Sequence, residues 1–229
     1  MQRLILFDID ETMISSDGAG RRAIGKALAS RFDVKPGSIK LSMSGRTDPQ
    51  ILTEILRAAG LSDQEIEKRM DEVLQIYLGL LQAEIDNSQS YIIHHGVREI
   101  LEALNSHGQT HLGLLTGNVE QGARMKLNRF DLNGYFPIGA YGSDSADRML
   151  LPEIGLKRGQ AYYNINFRPE QVVIIGDSIY DVLCAKGFGA RSIAVNTGVT
   201  ARAALEKQEP DYLFSSLADT SAVLKAILD

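Results

Sequence analysis

Two carboxylates, Asp8 and Asp10, follow directly on the apolar run Leu4-Ile5-Leu6-Phe7, and Thr12 comes two residues later. The run has the length and character of a fully buried strand in a parallel sheet. The carboxyl end of such a strand is where open α/β sheets bind ligands. Two acids held there repel each other unless one is protonated or a cation lies between them. A hard divalent ion such as Mg²⁺ suits an all-oxygen donor set.

Two further apolar runs end in polar clusters. One is Leu114-Leu115-Thr116-Gly117-Asn118, and the other is Val172-Val173-Ile174-Ile175-Gly176-Asp177-Ser178-Ile179-Tyr180-Asp181. In one parallel sheet all three clusters converge on the same edge. The combined inventory suits phosphoryl transfer, in which positioning and charge neutralisation do most of the work. Asp8, held rigidly at a strand end, can attack phosphorus. Asp10, on the following turn, can protonate a leaving oxygen and later deprotonate water. Thr116 with the amides of Gly117 and Asn118 can hold phosphate oxygens. Asp177 with Asp8 can bind Mg²⁺, and Asp181, one helical turn on, can hold a metal-bound water or orient Asp177.

The elements that position these groups are legible as pattern. Strands are expected over 4–7, 112–115, 138–141, 172–175, 192–195 and 212–214. Helices are expected over 97–106, 119–130, 152–164, 179–186 and 217–228, and this alternation implies a parallel sheet covered on both faces. Between about 17 and 89 the pattern is helical: 18–32, 48–59 with Pro49 in the first turn, and a helix opened by the capping-box spacing of Ser62 and Glu65 and running to about 85. The expected fold class is therefore α/β, a three-layer Rossmann-like parallel-sheet core (1–16 and 90–229) with a small all-helical cap (17–89) inserted after strand 1.

The 229 residues suit this organisation, and 44% apolar residues are enough for a sizeable core. A net charge of −5 without a dense Lys/Arg block argues against nucleic acid or an anionic membrane as partner. Cys184 is the single cysteine, which excludes an internal disulfide and a Cys-rich zinc site. The first apolar run is too short for a signal peptide, and no stretch reaches the roughly 18 apolar residues of a spanning helix. A cytoplasmic location is the expectation.

The three clusters, in this order and across essentially the whole chain, resemble the haloacid dehalogenase superfamily of phosphohydrolases. The helical block resembles the small cap of the phosphoglycolate phosphatase and β-phosphoglucomutase branch. The resemblance implies a nucleophile at Asp8, a general acid/base at Asp10, a phosphate contact from Thr116, and Mg²⁺ held by Asp8, the Asp10 carbonyl and Asp177; Thr12, Gly117 and Asn118 are the further candidate phosphate contacts, and Asp181 is the further candidate at the metal. It implies a phosphatase of a small phosphorylated metabolite that works through an aspartyl phosphate, as a monomer or homodimer. A phosphomutase, or a catalytically degenerate binding or switch protein, are the alternatives. The dehalogenase branch lacks the second acid, so Asp10 favours phosphate chemistry.

Two departures stand out. The family lysine before the fourth strand's helix is missing. Alignment on Pro152 puts Met149 in its place, with Arg148 adjacent as the expected surrogate and Lys157 as its rival. Glu11 stands where the family has glycine. The string Ser44-Gly45-Arg46-Thr47-Asp48-Pro49 resembles a cap loop that touches substrate, and Arg46 is expected to read the substrate's anionic end as the cap closes. The remaining helical Lys and Arg are read as solvated faces, His94 and His95 as hinge residues, and Cys184 and Tyr77 as packing groups.

Overall fold

The computed structural model describes residues 1–32 and 41–229. Strand β1 (Arg3–Phe7) runs into the Asp8–Thr12 turn, and a two-residue strand β2 (Ile14–Ser15) follows. Three helices come next: α1 (Ala19–Arg31), α2 (Asp48–Ala58) and α3 (Asp63–Asp86). The chain then returns through β3 (Ile92–Ile93), α4 (Val97–Ser106), β4 (Thr110–Thr116), α5 (Glu120–Asn128) and β5 (Ile138–Tyr141). It continues with α6 (Leu151–Tyr163), β6 (Val172–Gly176), α7 (Ile179–Phe188), β7 (Arg191–Val195), α8 (Arg202–Glu206), β8 (Tyr212–Phe214) and α9 (Thr220–Leu228).

Six strands form one parallel sheet in the order β5-β4-β1-β6-β7-β8. The expected fold class holds. β1 lies between β4 and β6, so the three polar clusters emerge side by side. Side chains of β1 alternate between two cores, as a pleated strand requires. Ile5 and Phe7 join Leu114, Val173, Ile175, Leu101 and Ile227 on one face. Leu4 and Leu6 join Leu115, Ile174, Leu151 and Leu156 on the other. Burial on both faces explains why β1 and β6 are continuous apolar runs.

The helices α1–α3 leave the sheet edge after β1. Their apolar faces, including Ile24, Leu28, Leu52, Leu56, Tyr77 and Leu81, are continuous with the first of these cores. α3 opens with the capping box expected of Ser62 and Glu65. The outgoing and returning chains pair antiparallel as β2 and β3, with Ile14 opposite Ile93 and Ser15 opposite Ile92. At two residues each, these strands are too short to show a periodicity. α8 also escapes the sequence pattern, and it has five residues.

Candidate active site

Asp8 continues the β1 ladder, its amide donating to the Ile175 carbonyl at 2.9 Å. It is buried, and its carboxyl faces three groups. Arg148 Nη2 lies 3.3 Å from Asp8 Oδ2. One carboxylate oxygen from each of Asp8, Asp177 and Asp181 lies within 4.8 Å of the other two. Burial pushes the Asp8 carboxyl up to about 6, against the opposing pull of Arg148 and with the help of Asp181 and Asp10. Asp177 moves further, well above the ordinary carboxylate range, through burial first and then the charges of Asp181 and Asp8.

The chain after Asp8 turns sharply. The Met13 amide returns to the Ile9 carbonyl at 2.9 Å, and the Glu11 amide to the Ile14 carbonyl at 2.7 Å. Glu11 takes φ 59°, the left-handed region in which glycine is favoured. The turn survives the missing glycine because Thr197 Oγ1 donates to the Glu11 carbonyl and Ser15 Oγ donates to its carboxylate.

Asp10 is held as an anion. Its two oxygens accept from Lys126 Nζ at 2.9 and 2.7 Å, from Asn118 Nδ2 at 2.7 Å and from Ser16 Oγ at 3.1 Å. Burial alone would raise its carboxyl; the Lys126 charge and these hydrogen bonds outweigh burial and lower it. Lys126 corrects the reading of helical lysines as solvated. Its ammonium is buried and also donates to Asn118 Oδ1 at 2.6 Å. The signal was present in the periodicity: Val119, Ala123, Lys126 and Leu127 fall on one stripe of α5, so a lysine occupies a core-facing position.

Arg148, in a 3₁₀ turn before α6, is buried and bridges Asp8 and Asp181. Burial opposes its charge, but Asp181 and Asp8 more than compensate and keep it protonated. Lys157 instead pairs with Glu153 at 2.6 Å on the exposed side of α6. Both oxygens of Asp181 are engaged, Oδ1 by Arg148 and Oδ2 by the Ser178 amide and hydroxyl at 3.0 and 2.6 Å. Asp181 is thus also the N3 residue of a capping box on α7.

Asp8, Asp10, Thr116, Gly117, Asn118, Arg148, Asp177 and Arg46 share the lining of one cavity of about 350 Å³. Arg46 reaches it from the helical layer and pairs with Glu54. Thr12 and Asp181 lie behind this lining. The Thr12 hydroxyl is buried and donates to Asp177 Oδ1 at 3.4 Å. Asp8 and Asp177 offer an all-carboxylate oxygen set, and Arg148 brings one positive charge to three buried acids. That excess of negative charge fits a hard divalent cation.

The cavity is roofed by the 44–48 loop. Thr47 Oγ1 donates to the Ala146 carbonyl at 2.8 Å, and the Asp48 amide donates to the Gly117 carbonyl at 2.7 Å. The approach is close enough that a side chain at Gly117 would overlap the Arg46 carbonyl. Gly45, at φ 72°, packs against Tyr180 and Ser178 with no room for a Cβ.

Among the described residues no helix is long and apolar enough to cross a membrane. The chain is 24% identical over 232 residues to a phosphoglycolate phosphatase of Haemophilus influenzae, covering 97% of this chain and 98% of that protein. It is 29% identical over 133 residues to a putative pyrophosphatase, PpaX, of Caldanaerobacter subterraneus, a match that spans 59% of that relative's length. The fold superposes on a predicted phosphatase of Clostridium acetobutylicum with a TM-score of 0.73 at 20% identity, covering 98% of this chain and 99% of that one. A predicted phosphoglycolate phosphatase of Haemophilus somnus gives 0.72 at 21% identity, covering 97% and 98%. The family model for haloacid dehalogenase-like hydrolases matches residues 2–189. This chain is a member of the haloacid dehalogenase-like hydrolases.

Proposed function

We propose that the protein is a Mg²⁺-dependent phosphatase of a small phosphorylated metabolite, with Asp8 as the nucleophile and an aspartyl phosphate as the intermediate. One observation carries this reading. The Asp8 carboxylate lies between a guanidinium (Arg148) and an acid with no ion pair among the described residues (Asp177), and it shares a cavity with Asp10 and the Thr116–Asn118 turn. The relatives named as phosphoglycolate phosphatase and pyrophosphatase support the same class of chemistry.

A carboxylate oxygen of Asp8 attacks phosphorus. The phosphorus–oxygen bond to the leaving group breaks, and Asp10, a carboxylate in the free site that takes up a proton from solvent as the substrate's negative charge enters, passes that proton to the departing oxygen. Water then attacks the phosphorus of the aspartyl phosphate and gives its proton to Asp10. The bond from phosphorus to Asp8 breaks, returning the carboxylate and inorganic phosphate. Lys126 holds Asp10 as a carboxylate, the form the second step consumes. Thr116 and the Gly117 and Asn118 amides hold the phosphate oxygens. Arg148 steadies Asp8 and neutralises part of the incoming charge. Asp8, the Asp10 carbonyl and Asp177 would hold Mg²⁺, whose charge offsets that of the phosphate. Arg46 and the seated 44–48 loop exclude bulk water, and Arg46 contacts an anionic group on the leaving portion. A cavity of about 350 Å³ suits a small metabolite.

Phosphate release from an aryl phosphate, phosphoglycolate and pyrophosphate, with Mg²⁺ or with chelator, tests the reading. Mg²⁺-dependent release that disappears in Asp8→Asn is expected. Turnover that persists in Asp8→Asn contradicts it.

A further inference from the structure

We propose that Asp48 is a positioning residue that builds the phosphate-holding turn from the helical layer. Asp48 opens α2, yet α2 does not use its carboxylate. The α2 N-terminus is already capped by Thr47, whose hydroxyl accepts from the Gln50 amide at 3.2 Å. The Asp48 carboxylate reaches across to the start of α5, where Oδ2 accepts from the Val119 amide at 3.0 Å. α5 needs this contact, because Val119 sits at its N-cap position and no local side chain caps the helix. Asp48 thus pairs the N-cap amide of α5 from another layer, and Ser143 Oγ accepts from the next amide, that of Glu120, at 3.2 Å.

The same residue grips the other side of the turn, its amide donating to the Gly117 carbonyl at 2.7 Å. The two bonds bracket Asn118. That side chain links the turn to the acid/base group, with Nδ2 on Asp10 at 2.7 Å and on Thr116 Oγ1 at 2.9 Å. Asp48 is buried and faces Lys126 of α5, Asp10 of the β1 turn and the Tyr77 hydroxyl of α3. Burial pushes its carboxyl up to about 6 in spite of Lys126 and the Val119 bond, as expected for an acid kept where geometry needs an acceptor.

The consequence is a coupling. The turn that holds phosphate oxygens has its full shape when the 44–48 loop is seated, so phosphate binding and closure of the helical layer favour each other reciprocally. The link to phosphate rests on the proposed phosphatase reading; the bracket on Val119 does not.

Asp48→Ala and Asp48→Asn separate the possibilities. The probes are hydrogen exchange at the Val119 amide and the affinity for inorganic phosphate in the presence of Mg²⁺. Loss of a helix cap predicts, for Asp48→Ala, about tenfold faster exchange and about tenfold weaker phosphate binding. Asn keeps an acceptor oxygen, so Asp48→Asn is expected to recover most of both. A folded Asp48→Ala with unchanged exchange and affinity overturns the proposal, and so does an Asp48→Asn as impaired as the alanine variant. Should Asp48→Ala fail to fold, Val119 protection in Asp48→Asn decides: retained supports the bracket, lost overturns it. Aryl phosphate turnover by the wild type, with Asp8→Asn as control, is scored separately. Its absence strikes the phosphatase reading and leaves the Val119 result standing as the measure of the bracket.

Discussion

Arg148 Nη2 stands 3.3 Å from Asp8 Oδ2 while the same nitrogen is hydrogen-bonded to Asp181. A single guanidinium nitrogen therefore ties the strand end of β1 to the first turn of α7. All three side chains are buried, so the charges act on one another with little screening by solvent.

Removing Arg148 is expected to harm both chemistry and stability. Arg148→Ala leaves Asp8 and Asp181 buried without their cation, a loss on the order of 3–5 kcal/mol. Phosphate release should fall at least about a hundredfold, the scale of losing one preorganised electrostatic donor. Arg148→Lys keeps the charge and loses the planar fork, so an intermediate rate is expected. Lys157→Ala, on an exposed pair, should leave turnover intact. Steady-state kinetics and thermal melts of the three variants check this. An inert Arg148→Ala with a dead Lys157→Ala would reverse the assignment.

The raised carboxyls fix a pH dependence. Asp8 titrates at about 6, and Asp177 titrates well above the ordinary range. The folded state therefore binds more protons than the unfolded chain between roughly pH 4 and these raised values. The stability tied to the two acids is fully present below about pH 4 and is lost as pH rises through the folded values. In chelator at pH 8, Asp177→Asn should melt above the wild type, and the difference should close toward pH 4. Mg²⁺ should raise the wild-type melting temperature by mass action and raise that of Asp177→Asn much less. Melting curves with and without Mg²⁺ across this range read the outcome. An Asp177→Asn less stable than the wild type at pH 8 in chelator would contradict the account.

Lys126 makes a third prediction. Lys126→Met removes the cation and two donors from Asp10 and one donor from Asn118. The Asp10 carboxyl should then rise from its lowered position, and phosphate release should fall by about tenfold or more. A carboxyl-carbon NMR titration of Asp10 in both proteins measures the first effect directly. An unmoved Asp10 would show that Ser16 and Asn118 suffice to hold the anion.

The sheet was legible because β1 and β6 are buried on both faces and read as unbroken apolar runs that end in acids. Arg148 was legible through its spacing from Pro152, and its placement beside Asp8 follows from a turn that the sequence marks. Lys126 was not. A lysine on an amphipathic helix is assigned to solvent by default; Asn118 lies two turns before it, but its acidic partner, Asp10, is brought to it by strand order. Asp181 shows the converse. The capping-box spacing from Ser178 and the candidate role near Asp177 are both visible in sequence, and the structure realises the cap while giving the other carboxylate oxygen to Arg148. Glu11 looked out of place because the turn asks for glycine. The bonds that hold it at positive φ come from Thr197 and Ser15, one distant in sequence and one local. The role of Asp48 across the α2–α5 gap depends on a tertiary contact that no local pattern encodes.

The central claim is that Asp8 carries the phosphoryl group, and chemical trapping tests it most directly. Protein quenched during turnover of an aryl phosphate with Mg²⁺ is reduced with borohydride, which converts an aspartyl phosphate to homoserine, and peptides are then mapped. Homoserine at position 8, dependent on substrate and Mg²⁺, is the predicted result. Turnover under the same conditions with Asp8 unmodified, or with the label on another carboxylate, would contradict the account.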